Sequence, residues 1–267
     1  MGVDIKSLKN RIKSVDSTLH LTKAMGLVAS AKIRGATIAM GKSREYAKAL
    51  DDTVSMLASA KSCEKSEYMK NGEKEKICLI AIAGDRGLAG GYNSNLFKLA
   101  DSQNAERIIP IGKRACERYG SEQVKTETFS YSDAAVLAQE LCEDFKNRKY
   151  EKIGIVFTKY LSMMTQTPEI EWLLPLSKSE KKSKADIIYE PDERTVLEAV
   201  MEEYIAGKIV SAAKESFTCE VVARRFAMDN AGKNAGEMID SLKLEYNRAR
   251  QGAITQEITE IVAGSGM

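Results

Sequence analysis

The chain has 267 residues, is 43% hydrophobic, 29% charged and only 6% aromatic, and carries a formal net charge of +2. Overall charge therefore selects no partner. The length suffices for one large domain or two small ones, and few aromatics beside abundant Ala, Met, Lys and Glu favour long helices over a dense aromatic core. Five scattered cysteines (Cys63, Cys78, Cys116, Cys142, Cys219) without CxxC or CxxH spacing argue against a disulfide framework or a metal site and read as reduced, intracellular thiols. No apolar run reaches the length of a membrane span, and the opening Met-Gly-Val-Asp-Ile-Lys has no signal-peptide core. The expectation is a soluble chain, or one held at a membrane by partners.

The first element is a long helix. The 3,4 series Ile5, Leu8, Ile12, Val15, Leu19, Thr22, Gly26, Ala29, Ile33, Ala36, Met40, Ser43, Ala47, Leu50, Val54, Leu57 is apolar at 13 of 16 positions, and Thr22, Gly26 and Ser43 are small. A seam kept over more than seven heptads predicts a coiled coil, a rod of roughly 80 Å at ~1.5 Å per residue. Residues 1–50 carry ten Lys/Arg against three acids, +7, which leaves −5 for the rest. This basic rod reads as a solvated coiled-coil face or as a surface for an acidic protein; it lacks the interleaved aromatics of a nucleic-acid binder. His20, the single histidine, is expected on its solvated face.

Ser59–Lys76 reads as a polar connector. The middle then alternates: strand Ile77–Ala83, helix Ser94–Ala100, strand Arg107–Ile111, helix Lys113–Tyr119, strand Val124–Phe129, helix Ala134–Asn147, strand Ile153–Thr158. Such alternation predicts an open, mostly parallel α/β sheet, and the first strand, continuously apolar, should be buried on both faces. Leu161–Leu176 and Asp186–Tyr189 are less regular and suggest an added strand or two, with Ser177–Lys184 a second polar connector.

After Pro191, Asp192 is placed to cap a final helix that meets no further proline. The pattern weakens around Ala231, Gly232 and Gly236, which leaves room for a local bend or unwinding; unbroken, the helix is about 70 residues and roughly 105 Å long. Two such helices exceed a compact globule of this length, whose radius of gyration is about 18 Å. An antiparallel pair leaving a middle domain is the economical arrangement. The last stretch, Leu244–Gly264, mixes Arg250, Gln251, Thr255 and Glu257 among Ala249, Ala253, Ile254, Ile258, Ile261 and Val262. An ordinary surface helix separates these classes onto two faces.

Gly84-Asp-Arg-Gly-Leu-Ala-Gly-Gly-Tyr-Asn93 follows the first strand, where a phosphate-binding loop would sit. It matches neither G-x-G-x-x-G nor G-x-x-x-x-G-K-[ST], so a strand-to-helix turn capped by Asn93 or Ser94 is the preferred reading. No nucleophile has a histidine to work with and no carboxylate pair stands at a convincing loop position, so neither a catalytic residue nor a cofactor site is assigned.

These segments carry a resemblance. Ile12-Lys-Ser-Val15, Leu21-Thr-Lys-Ala-Met25 and Val28-Ala-Ser-Ala-Lys-Ile-Arg34 resemble the N-terminus of the γ subunits of F-type ATP synthases, of the bacterial type. The Gly84–Phe97 stretch resembles that family's internal motif, and Asn247–Gly264 its C-terminal signature. Met164-Thr-Gln-Thr-Pro168, Leu173-Leu-Pro-Leu176 and Tyr189-Glu-Pro-Asp192 fall in order between them. Ala89 stands where many members carry Cys, Arg225 and Phe226 where Met and Val are usual, the chain is short between Glu117 and Ser130, and no cysteine pair of the redox-regulated chloroplast type is inserted.

The resemblance implies an α/β fold class: a long antiparallel coiled coil of N- and C-terminal helices (residues 1–60 and 192–267) plus a Rossmann-like open α/β sheet domain (77–190). It implies a non-catalytic rotor shaft inside a hexameric ring of α and β subunits, its foot against the ε subunit and the c-subunit ring. The shaft would be peripheral to the plasma membrane on its cytoplasmic side and would couple ion flow to ATP synthesis or hydrolysis. By the same resemblance, Lys23 and Met25 face an acidic β loop, Arg224 is a further coupling position, and Arg250, Gln251, Thr255 and Glu257 make polar contacts with β. The competing readings are a non-rotary coiled-coil scaffold and a nucleotide-binding switch at Gly84–Gly91.

Overall fold

The computed structural model describes residues 5–70, 76–177 and 188–265. Helix α1 spans Ile5–Ala58. All sixteen seam positions of the 3,4 series are buried or half-buried, as expected when a 3.5-residue repeat faces a partner. The last helix, α5, runs from Glu193 to Gly264. Asp192 starts it as expected: its Oδ1 accepts the Thr195 N–H at 3.0 Å and its Oδ2 the Thr195 hydroxyl at 2.7 Å, which satisfies an otherwise orphaned first-turn donor.

The chain divides into two compact units, Met1–Ser30 with Arg224–Met267, and Ala31–Ala223. In the first unit α1 and α5 are antiparallel. Gly26 lies against Met228 and Asp229, and Gly232 against Thr22 and Leu19, so an advance on one helix is a retreat on the other. Arg225 pairs with Asp229 at 2.7 Å and donates to the Ser30 hydroxyl. α5 stays helical through Ala231–Gly236. Each glycine there costs roughly 1 kcal/mol against Ala, but Ala235 is buried and Gly232 fits closely against α1, so packing overrides propensity.

The second unit holds the sheet. Strands β1 (Ile77–Ile82), β2 (Arg107–Ile111), β3 (Lys152–Tyr160) and β4 (Gln166–Leu174) take the order β2-β1-β3-β4. The first three are parallel and β4 is antiparallel to β3. The outer strands carry Pro110 and Pro168. Alternation sorts β1 and β3 onto two covered faces. Ile80, Ile82, Ile155 and Phe157 join α4 (Tyr131–Lys146) and this unit's parts of α1 and α5. Leu79 and Val156 pack with Leu96 and Ala100 of α2 (Tyr92–Asp101) and Ala115 of α3 (Lys113–Tyr119). Gly154 gives the β4 Trp172 ring its place: a Cβ there would come within 2.8 Å of it.

Three expectations are corrected. Val124–Phe129 is a loop, because its backbone donors are taken by a side chain: Asp85 accepts the Thr126 N–H at 2.8 Å and the Glu127 N–H at 2.9 Å. Ser59–Lys76 is not simply polar: two short 3-10 turns, Lys61–Lys65 and Glu67–Met69, bury Cys63, Ser66 and Tyr68, and the Tyr68 ring stacks on Phe145 at 6.2 Å. Helix α2 begins after Gly91 with no side-chain cap; Asn93 instead turns back to accept the Gly84 N–H at 2.9 Å. The Ser177–Lys184 connector, after its first residue, lies outside the described residues.

Candidate coupling site

The seven positions assigned by resemblance all lie on the helices of the first unit, in two groups. Lys23 is exposed and Met25 half-buried on α1, while Arg224 of α5 is buried at 9% exposure. Gly26 is level with Met228, so these three stand within about two helical turns of one another. Arg250 begins 26 residues beyond Arg224, roughly 39 Å along the same helix. Arg250, Gln251, Thr255 and Glu257 are exposed, and the structure does not bring them to the first group. The Thr255 hydroxyl donates back to the Gln251 carbonyl at 2.9 Å, which leaves Arg250, Gln251 and Glu257 as the long polar arms of this stretch.

The antiparallel register places Ile5 level with about Ala249. Farther along α5 no described α1 residue lies alongside. There Ile254, Ile258, Ile261 and Val262 are exposed by 47%, 56%, 69% and 64%. A helix that offers four large apolar groups to solvent within three turns presents a surface fit for a partner. His20 is solvated, its ring 3.7 Å from Asp16.

In the second unit the glycine-rich turn between β1 and α2 is heavily tied. Glu220 of α5, 1% exposed, accepts the Asp85 and Arg86 N–H groups, each at 3.1 Å. Asp85 reaches the other way, accepting the Lys113 N–H at 3.2 Å as well as those of Thr126 and Glu127. The space that remains beside this turn is a cleft of about 190 Å³ bordered by Gly91, Tyr92, Asn95 and Thr158.

Two further polar clusters fasten α1 to α5 in this unit. Arg44 donates to Glu215 through Nε at 3.0 Å and Nη2 at 2.6 Å, and to the Tyr160 carbonyl at 2.7 Å; the Tyr160 N–H returns to Glu215 at 2.7 Å. The Glu215 hydrogen bond holds the Arg44 guanidinium above its usual pKa. Lys208, 7% exposed, reaches Asp51 at 2.8 Å and also Glu171 of β4. Burial pulls its ammonium down, but the two carboxylates outweigh that and hold it above its ordinary value.

Sequence reasoning did not single out Arg44, Lys208, Glu215 or Glu220. Arg44 belongs by composition to the basic face of α1. A signal was present: Lys208, Lys214, Glu215 and Glu220 interrupt the otherwise small and apolar run Ile205–Val222, and a charge on a core-facing stripe has to be paired. Among the described residues no His, Cys, Asp and Glu group is fit to hold a metal ion, and no helix is long and apolar enough to cross a membrane.

Comparison with known proteins adds an independent line. The family described as ATP synthase matches residues 4–266. The chain is similar to the ATP synthase gamma chain of Alkaliphilus metalliredigens, 39% identical over 285 residues and covering 99% of both chains. Those of Ruminococcus albus and Moorella thermoacetica are 38% and 37% identical, each with 98% of both chains covered. Among solved structures, a chain of the Euglena gracilis mitochondrial ATP synthase in its OSCP/F1/c-ring assembly superposes with a TM-score of 0.70 at 17% identity, covering 98% of this chain and 93% of that one. A chain of the same organism's rotor gives 0.66 at 16% identity, covering 94% and 98%. At these identities the structural likeness speaks for the fold.

Proposed function

Because the chain belongs to the ATP synthase γ-chain family over nearly its whole length, we propose that it is the central rotor shaft of an F-type ATP synthase. It is a subunit of that complex and supplies mechanical coupling; the chemistry belongs to other subunits. The observation that carries the reading is the far end of α5. The last turns of a 72-residue helix hold four large apolar side chains in solvent, the kind of surface that marks an interaction site. A closed sleeve of other subunits would bury that end, and its apolar face can slide within it.

The partners we infer are a hexameric ring of α and β subunits around the helices, with the ε subunit and the c-subunit ring at the sheet unit. The complex would be peripheral to the plasma membrane on its cytoplasmic side. Arg250 and Gln251, just below Ile254, and Thr255 and Glu257, interleaved with the apolar groups, are suited to polar contacts with β. Charge-assisted hydrogen bonds of this kind are each about 1.5–3 kcal/mol, enough to favour one rotary dwell and still be released. Lys23, Met25 and Arg224 form the second contact level, where the basic segment of α1 would meet acidic β loops.

The test is coupling in the reconstituted complex. Truncation before Ile254 should lower ATP-driven ion pumping while the sheet unit keeps its fold. The purified complex should hold one copy of this chain per three αβ pairs. Pumping that survives deletion of residues 1–60 would refute the shaft. A non-rotary scaffold predicts no fixed stoichiometry with α and β.

A further inference from the structure

The turn after β1 stands at a particular place in the sheet. β1 has β2 on one side and β3 on the other, so strand order reverses between β1 and β3. Open α/β sheets hold their ligands outside the carboxyl ends of the strands at this switch point. In this chain the place is taken by three residues within about one helical turn of α5. Ser216 donates to the Ile82 carbonyl at 3.0 Å and shares a 2.6 Å hydrogen bond with the Tyr92 hydroxyl. The Cys219 thiol donates to the Thr158 carbonyl at 3.3 Å. Glu220 accepts the two successive N–H groups of Asp85 and Arg86.

Consecutive backbone N–H groups converging on one oxyanion are the arrangement by which glycine-rich turns bind phosphate and carboxylate. The backbone makes room for it: a Cβ on Gly84 would lie 2.7 Å from Glu220 Cδ and 2.9 Å from its Cγ. We propose that the Gly84–Arg86 turn is an oxyanion-binding site whose resident ligand is the Glu220 carboxylate. Removing that side chain opens the site to a small free oxyanion such as formate or inorganic phosphate. The loop position that suggested a phosphate site is then an anion site that the chain fills itself.

Glu220→Ala in the full-length chain is compared with the unsubstituted protein by thermal unfolding in sodium formate, sodium phosphate and sodium chloride at matched ionic strength. The variant should melt lower than the parent, and formate or phosphate should raise its Tm saturably, as a ligand of the native state does. Chloride should not, and the parent, its site filled, should not respond. A variant with no oxyanion-specific rise, or a parent that rises equally, overturns the proposal. Should Glu220→Ala fail to fold, Glu220→Gln keeps the volume and removes the charge. The Asp85 and Arg86 amides should then exchange with solvent about tenfold faster, the loss of one charge-assisted hydrogen bond, while the β1 amides stay protected. Unchanged exchange at Asp85 and Arg86 refutes the assignment, because a side chain acting by packing alone would leave those two amides unaffected.

Discussion

Arg44→Met tests how the second unit fastens its two long helices. Glu215 is only 6% exposed and accepts three donations, two from Arg44 and one from the Tyr160 N–H. Methionine keeps much of the aliphatic packing of the Arg stem and removes the charge. The carboxylate is left in a poorly solvated place with a single donor. Removing one partner of a fully buried ion pair costs about 3–5 kcal/mol. The Arg44 side chain, however, is 39% exposed, so water will reach part of the site, and a loss of roughly 2–3 kcal/mol is the appropriate scale. For a domain of this size that is a fall in Tm of about 5–10 °C. Urea unfolding of the full-length chain measures it directly. The second arm is Arg44→Met with Glu215→Gln, which retains an acceptor for the Tyr160 N–H but removes the stranded charge. It should be more stable than Arg44→Met alone. A single-variant loss below about 0.5 kcal/mol, the range of ordinary surface substitutions, would refute the reasoning, and so would strict additivity of the two changes.

Gly154→Ala places a Cβ 2.8 Å from the Trp172 ring and 3.2 Å from Leu79; overpacking of about 1–3 kcal/mol is expected, with a shift in the emission of the single tryptophan. Cysteine reactivity should be low until the chain unfolds: all five thiols are buried, and burial pushes Cys78 up to about 12 and Cys142 up to about 11, so a thiol-specific reagent at pH 8 should label the native protein slowly and the denatured protein at five sites. Hydrogen bonds from Tyr131 and Tyr46 hold Glu203 below the ordinary carboxylate range, and those from Ser130 do the same for Asp133 in the α4 capping box. The unfolded chain then binds more protons, so the stability these groups contribute is present above a pH of about 4.5 and fades as pH falls through that range; Glu203→Gln should flatten the acid limb of urea midpoints, and an unchanged limb would sink the assignment. The Glu203 hydrogen bond also pushes Tyr46 up to about 12, so its share of stability should fade as pH rises from about 10 toward that value.

What the sequence made legible follows from which interactions are periodic. The α1 seam was readable residue by residue because a coiled coil repeats its demand every 3.5 residues, and each of its sixteen positions is buried or half-buried. β1 was readable because a strand covered on both faces is continuously apolar. Val124–Phe129 misled because local composition favours a strand, while the deciding partner, Asp85, lies about 40 residues away and spends its carboxylate on the loop's N–H groups. Glu220 stands out as a charge in an apolar run, but its partners were illegible for the same reason: they are backbone amides, which carry no sequence signature. The coupling positions came from resemblance alone, since exposed Arg250, Gln251 and Glu257 make no demand that the folded chain itself must meet.

The two outer strands have a bearing on the life of the chain before it meets its partners. An open sheet has two free edges, and an unprotected edge invites a second sheet to extend it. Here Pro110 lies on one edge strand and Pro168 on the other, and proline interrupts the row of donors that such an extension would need. A newly made copy can therefore accumulate beside its siblings without zipping to them through their sheets.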